Sequence, residues 1–362
     1  MVESAYIHIP FCRQKCRYCS FISFPALERK EEYLKALHEQ ISAQYNGEPL
    51  KTLYFGGGTP SLLSVDEISA LSDRFNFALN TEVTLELNPE TVNTTYFQAL
   101  SATRINRLSI GAQSFNDKIL AVIGRKHSAQ DIERVVKAAQ NAGFNNISLD
   151  FIYGLPNQKL ENFISDLKSA VSLNIQHISL YGLKIEEGCT FYKNPPENLA
   201  DDELQAQMYL AAIETLTSLG FEHYEISNFA RPNHYSHHNT TYWKNEEYYG
   251  FGLGAHGYTN GSRYSNTETL KTYLQNPKKK VSSHKLSNKE KLEEEIFLGF
   301  RLTQGINVKK INKKFGIDFE KKYSKILKKY TASNHIKSTD NTYFFTPSGF
   351  LISNYILADF LD

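Results

Sequence analysis

Six short β-prone runs alternate with amphipathic stretches over the first 220 residues. No other feature of the 362-residue chain restricts its fold as much. The runs are Tyr6–Ile9, Thr52–Phe55, Val83–Leu87, Arg107–Ile110, Ile147–Ile152 and His177–Leu183. Between them, Glu32–Tyr45, Val65–Phe77, Ala129–Ala142 and Leu160–Val171 carry apolar residues at helical spacing. Asp201–Leu219 reads as a further helix, stopped by Gly220. Strand–helix alternation implies parallel strands joined by right-handed crossovers. The predicted class is therefore α/β, a partial (β/α)6 TIM-like barrel left open because six units fall short of eight. Ligands of such a fold sit at the C-terminal ends of the strands.

Past residue 220 the regularity breaks down. Tyr224–Phe229 reads as one more strand, followed by the Gly-, His- and Tyr-rich stretch His234–Tyr264. Helices are expected over Glu290–Leu302, Val308–Phe315, Phe319–Tyr330 and Pro347–Leu361. A strand pair is expected at His335–Ser338 and Thr342–Thr346. Helices with a hairpin make a winged-helix-like pattern. The expected division is 1–220 for the barrel, 221–280 for an extension closing it, and 281–362 for the C-terminal helical domain.

Charge and cysteine use narrow the function. Forty Lys+Arg against 39 Asp+Glu argue against a strongly basic nucleic-acid grip. No apolar run is long enough for a membrane span, and the N-terminus lacks the pattern of a signal peptide. A cytoplasmic location is the expectation. Three of the four cysteines, Cys12, Cys16 and Cys19, fall within eight residues, unlike a disulfide framework. Three thiolates on one loop can each bind one iron of a cubane cluster and leave the fourth iron open. Zinc is the competing metal, but it would need a fourth ligand nearby.

The unusual residues gather where strands should end. The Cys trio follows the first strand and Gly56–Gly57–Gly58–Thr59–Pro60 the second. Glu86 and Asn88 end the third, Gln113 and Ser114 follow the fourth, Asp150 and Gly154 close the fifth, and Gly182 and Lys184 the sixth. Taken alone, a Gly-rich turn after a strand is usually only a turn. His234, His237, His238 and His256 lie close together, and an imidazole can ligate a metal; a histidine is more often a hydrogen-bonding core or surface residue. Cys189 reads as a packed small residue, and Lys278–Lys280 as a solvated face.

Cys12-Arg13-Gln14-Lys15-Cys16-Arg17-Tyr18-Cys19 resembles the signature of the radical SAM superfamily. The lead-in Tyr6-Ile7-His8-Ile9-Pro10-Phe11 and the Gly56–Ser61 turn resemble the oxygen-independent coproporphyrinogen III oxidase family. So do Gly111–Phe115 and Asp150–Pro156. Within it the heme-chaperone (HemW) branch is the nearer match. The chain starts only a few residues before Tyr6, Phe21 stands where the oxidase has a further Cys, and His238-Asn239-Thr240-Thr241-Tyr242-Trp243 fits that branch's HNxxYW motif. The resemblance implies a [4Fe–4S] cluster on Cys12, Cys16 and Cys19, with S-adenosylmethionine (SAM) on its open iron. It places Tyr6, Tyr18, Gly57, Gly58, Thr59, Glu86, Gln113, Arg125, Asp150 and Gly182 at the SAM pocket. It makes His238 the candidate heme ligand. The implied role is to bind heme and pass it to an acceptor hemoprotein, a membrane-bound one included, with a homodimer and no nucleic acid as further expectations. The alternative is the oxidase reaction, radical decarboxylation of two propionates to give protoporphyrinogen IX. A radical SAM enzyme with another substrate is a third reading.

Overall fold

The computed structural model describes residues 1–361. Its centre is a nine-stranded sheet. The parallel strands β1 (Ser4–Ile9), β2 (Leu50–Gly57), β3 (Phe77–Leu87), β4 (Arg107–Gln113), β5 (Ile147–Tyr153) and β6 (His177–Gly182) lie side by side in chain order. They correspond to the six expected runs. Helices Lys30–Gln44, Val65–Ser72, Thr94–Leu100, Ala129–Asn141 and Leu160–Ser172 connect them, and Asp202–Ser218 follows β6.

Side-chain alternation gives this sheet two unlike faces. Ile7 and Ile9, Leu53 and Phe55, Leu108 and Ile110, and Leu149 and Phe151 point outward into one apolar core beneath the helices. The opposite face, which lines the lumen, carries Tyr6 and His8, Thr52 and Tyr54, Glu82 and Glu86, Arg107 and Ser109, Ser148 and Asp150, and His177 and Ser179. Polar groups buried in such a lumen require partners. His177 meets Ser148 at 2.8 Å and the Tyr224 hydroxyl at 2.9 Å.

Several expectations change. The helix predicted over Val65–Phe77 stops at Ser72, where a turn through Asn76 leads Phe77 into β3. Its start is fixed by a capping box of Ser64 and Glu67. The single strand predicted at Tyr224–Phe229 is a hairpin, β7 (Glu222–Glu225) and β8 (Asn228–Ala230), and β8 runs antiparallel to β6. The parallel series thus ends at β6. On the other edge β9 (Tyr249–Phe251) pairs parallel with β1.

The Gly- and Tyr-rich stretch holds a second sheet that its composition did not announce. It consists of β10 (His256–Thr259), β11 (Ser262–Asn266) and β12 (Lys280–Lys285), all antiparallel. β12 begins at Lys280, and the chain turns helical at Asn288. A separate apolar core then forms around Leu292, Ile296, Phe300, Phe319, Tyr330 and Phe345. It joins helices Asn288–Gly299, Val308–Phe315 and Ser324–Ala332 to a small sheet. That sheet, of β13 (Ile306–Asn307), β14 (Ile336–Thr339) and β15 (Thr342–Phe345), has the order β13–β15–β14. The helix predicted over Phe319–Tyr330 breaks at Tyr323, and that over Pro347–Leu361 breaks at Ile352.

Candidate functional site

A cavity of about 680 Å³ opens at the C-terminal ends of β1–β6. Cys12, Cys16 and Cys19 line it, with Tyr18, Gly57, Gly58, Thr59, Glu86, Gln113, Arg125, Asp150 and Gly182. Residues scattered over 170 positions of sequence meet there because each follows or ends a parallel strand.

The Cys loop is held by its neighbours. The Gln14 amide donates to the Gly124 carbonyl at 2.6 Å, the Arg17 amide to the Ile123 carbonyl at 3.1 Å, and the Phe191 amide to the Arg17 carbonyl at 2.9 Å. All four cysteines are free thiols. Cys189 is buried with Ile119, Leu155 and Phe191 in an apolar cluster under the loop, as its packed reading expected. The Thr59 hydroxyl donates to Cys12 Sγ at 3.4 Å, and Arg125 Nη1 lies 3.8 Å from Cys16 Sγ. Burial pushes the Cys19 thiol up. Among the described residues no three His, Cys, Asp or Glu side chains converge on a single-ion position. Cys12, Cys16 and Cys19 line one open volume, where each thiolate can take one iron of a cubane cluster.

Two glycines make room beside the thiols. At Gly57, φ is +114° and a Cβ would lie 2.6 Å from the His8 ring. At Gly58 a Cβ would lie 2.6 Å from the Phe11 carbonyl oxygen and 3.0 Å from Cys12 Sγ. Only glycine fits this turn. Gln113 also has a positive φ, of 66°, and the β4–β5 register shifts between Gly111 and Gln113. Such an irregularity re-aims a side chain at a strand end.

Arg125 is only 8% exposed, not the surface ion-pair member its type suggests. Its Nη2 donates to Asn88 Oδ1 at 2.7 Å and to the Gly111 carbonyl at 2.6 Å. Two carboxylates face the cavity. Glu86 accepts from the Tyr54 hydroxyl at 2.8 Å and from the Gly57 amide at 3.1 Å. Burial, with Asp150 adding repulsion, pushes it up from 4.5 to about 7. Asp150 accepts from the Ser109 hydroxyl at 2.9 and 3.0 Å and from Ser148 at 3.2 Å; burial raises it too. Such carboxylates can take hydroxyl or ammonium donors from a ligand. Tyr54, Ser109 and Tyr181 also belong to this wall, and strand alternation alone would have found them.

Tyr6 and His238 lie elsewhere. Tyr6 is not on the cavity wall. Its hydroxyl meets His8 Nδ1 at 3.1 Å, and His8 Nε2 reaches the Ile22 carbonyl at 2.8 Å, just beyond the Cys loop. His238 sits at the opposite, N-terminal end of the barrel, on helix His237–Trp243. It is buried, with Nδ1 2.8 Å from the Thr52 hydroxyl and Nε2 2.7 Å from the Tyr242 hydroxyl. Neither nitrogen is open to a heme iron in this arrangement.

Comparison with known proteins agrees with this geometry. The radical SAM superfamily profile matches residues 6–170, and the HemN C-terminal domain profile matches residues 286–352. The heme chaperone HemW of Bacillus subtilis is 36% identical over 99% of both chains. That of Lactococcus lactis is 35% identical over 99% of this chain and 97% of its own. Escherichia coli HemW is 39% identical over 70% of this chain and 69% of its own. Among solved structures, the E. coli coproporphyrinogen III oxidase HemN, a radical SAM enzyme, superposes with a TM-score of 0.87 at 22% identity. The match covers 99% of this chain and 89% of that one, which shows a shared fold. By sequence over its whole length, the chain belongs to the HemW family of the radical SAM superfamily.

Proposed function

We propose that this protein binds heme and delivers it to an acceptor hemoprotein, using a cavity built for a [4Fe–4S] cluster and SAM. The observation that supports it is near-complete coverage by relatives named heme chaperones, together with three free thiols around one 680 Å³ cavity. Cys12, Cys16 and Cys19 would hold the cluster. Gly57, Gly58 and Gln113 leave the backbone open to a methionyl group, Glu86 and Asp150 would take ribose or amine donors, and Arg125 lies beside the cluster thiol of Cys16. When bound, such a cluster supplies an electron and one coordination site. The protein's own part is to hold these groups against a wall that Tyr18, Tyr54 and Tyr181 also line.

The acceptor is read as a hemoprotein, a membrane-bound one included. No helix among the described residues is long and apolar enough to cross a membrane. We read residues 1–220, 221–280 and 281–362 as barrel, extension and C-terminal domain, and a cytoplasmic homodimer as the working form.

The test uses anaerobically reconstituted protein with reductant, SAM and coproporphyrinogen III, and titrates heme on the same sample. Stoichiometric heme binding without decarboxylated porphyrin is expected. Product at multiple turnovers would overturn the proposal in favour of the oxidase reaction.

A further inference from the structure

The HNxxYW-type segment plays no direct part in the cavity. Helix His237–Trp243 instead plugs the floor of the barrel. The Glu82 carboxylate accepts the His237 and His238 amides at 3.0 and 2.9 Å, Thr241 meets Ser4 at 3.2 Å, and His238 meets Thr52. Ser4, Thr52 and Glu82 stand opposite one another in one register row across β1, β2 and β3, so the plug is tied to three strands at the end remote from the thiols.

One connection runs upward from it. The His238 ring stacks on Tyr54, centroids 4.9 Å apart and planes at 26°. Tyr6 completes the cluster, 6.0 Å from Tyr54 and 6.5 Å from His238. Tyr242 meets His238 edge-on at 5.0 Å. The Tyr54 hydroxyl then donates to Glu86, whose other oxygen holds the Gly57 amide. The floor is therefore joined to the cofactor turn through one ring and one carboxylate.

We propose that His238 is a positioning residue for the Glu86 carboxylate, acting through the Tyr54 ring, and sets from the barrel floor how the cavity binds its SAM. This inference rests on the reading of the cavity given above. A neutral imidazole must donate with one nitrogen and accept with the other, and Thr52 and Tyr242 supply one partner for each. Burial, with Arg107 beyond it, lowers the ring's basicity to about 3, so it stays neutral and fixed at working pH. A fixed ring beneath Tyr54 leaves its hydroxyl a single direction, toward Glu86. Truncation at 238 opens a void of one imidazole into which Tyr54 can tip.

The groups that face Glu86 are Tyr6 on β1, Tyr54 and the Gly57 amide on β2, Arg107 on β4, Asp150 on β5, Tyr181 on β6 and Tyr242 on the floor helix. The Tyr54 hydrogen bond favours the carboxylate, so its loss raises the pH at which Glu86 ionises. Affinity for SAM then fails at a higher pH.

The experiment measures SAM affinity of the reconstituted full chain by equilibrium dialysis from pH 5.5 to 8.5, with a heme titration in parallel. Tyr54→Phe, nearly isosteric, should move the acid limb upward. His238→Ala should move it the same way and weaken SAM at pH 7 by about tenfold, the size of one charge-assisted hydrogen bond. The double variant should match the single ones, since both act on one bond. Heme stoichiometry should stay at the wild-type value. An acid limb unmoved by His238→Ala while Tyr54→Phe moves it would overturn the coupling, as would additive effects. Loss of heme stoichiometry with the SAM limb unmoved would overturn it too and make His238 a heme ligand. Wild-type protein that binds no SAM at any pH would overturn the reading of the cavity, and this inference with it.

Discussion

Glu225 should make the protein less stable as pH rises from 5 to 8, and Glu225→Gln should remove that loss. Glu225 is fully buried where the barrel meets the C-terminal helices. The Ile226 amide donates to the Arg301 carbonyl at 2.9 Å, and the Thr303 amide to the Tyr224 carbonyl at 3.1 Å. Burial pushes Glu225 from 4.5 to about 7, against the opposing pull of the Ser227 amide, Asn228 and Arg301. Between those two values the folded chain keeps a proton that the unfolded chain has released. Stability therefore falls with rising pH across this window, the reverse of an ion-paired carboxylate. Linkage across pH 5–8 gives about 2.5 kcal/mol, an order-of-magnitude figure. For a chain of this length that is about 3 °C in Tm. Gln keeps the acceptor for the Ser227 amide, and its new donor replaces the oxygen that accepts from Asn228 Nδ2, so the Asn228 amide must turn over to present its unpartnered Oδ1. Melting curves of both proteins at pH 5, 6, 7 and 8 test this. The variant should gain on the wild type with each step upward. Parallel profiles would refute a proton on buried Glu225.

Further outcomes follow from the cavity wall. Cys16→Ala, reconstituted anaerobically, should lack the thiolate-to-iron absorption band; a band of wild-type strength would refute the ligand set. Gly57→Ala must hold φ at +114° and meet the His8 ring, so it should cost about 1–3 kcal/mol in strain and lower iron content per chain. Unchanged Tm and iron content would show that the turn has slack. Arg107→Met leaves Glu82 buried without its facing cation and should destabilise by about 3 kcal/mol in urea unfolding. A loss under 1 kcal/mol would show that the floor helix amides alone satisfy Glu82.

The parallel core was legible because its strands repeat a buried outer row of Ile, Leu, Val and Phe at period two between helices of clear period 3.6. The cavity residues were legible because topology puts strand ends together, whatever their spacing in sequence. What composition hid depends on tertiary pairing. β9 is three residues long and becomes a strand only against β1. β10–β12 form from a Gly- and Tyr-rich run whose apolar alternation is weak. The hairpin at Glu222–Ala230 turns on Glu225, a buried acid that hydropathy would place in solvent. His238 shows the limit on the site itself. A motif marks a residue as significant, but only the fold reveals that it lies at the far end of the barrel with both nitrogens occupied.

The two faces of the sheet explain why the chemistry sits where it does. A sheet with an apolar face under helices and a polar face on the lumen must satisfy every lumen group without bulk water. At the floor this is done by pairing: Glu82 with helix amides, His238 with Thr52 and Tyr242, His177 with Ser148 and Tyr224. Toward the roof Glu86 is held by Tyr54 and the Gly57 amide, and Asp150 by Ser109 and Ser148, yet both carboxylates still line the open cavity. Both carboxylates share the cavity lining with Arg13, Lys15, Arg125, Lys126 and Lys184, so this end offers partners to anionic and cationic groups alike. One lumen thus carries a floor closed by helix amides and rings, and an opposite end where charged groups of both signs face an open cavity beside the thiols.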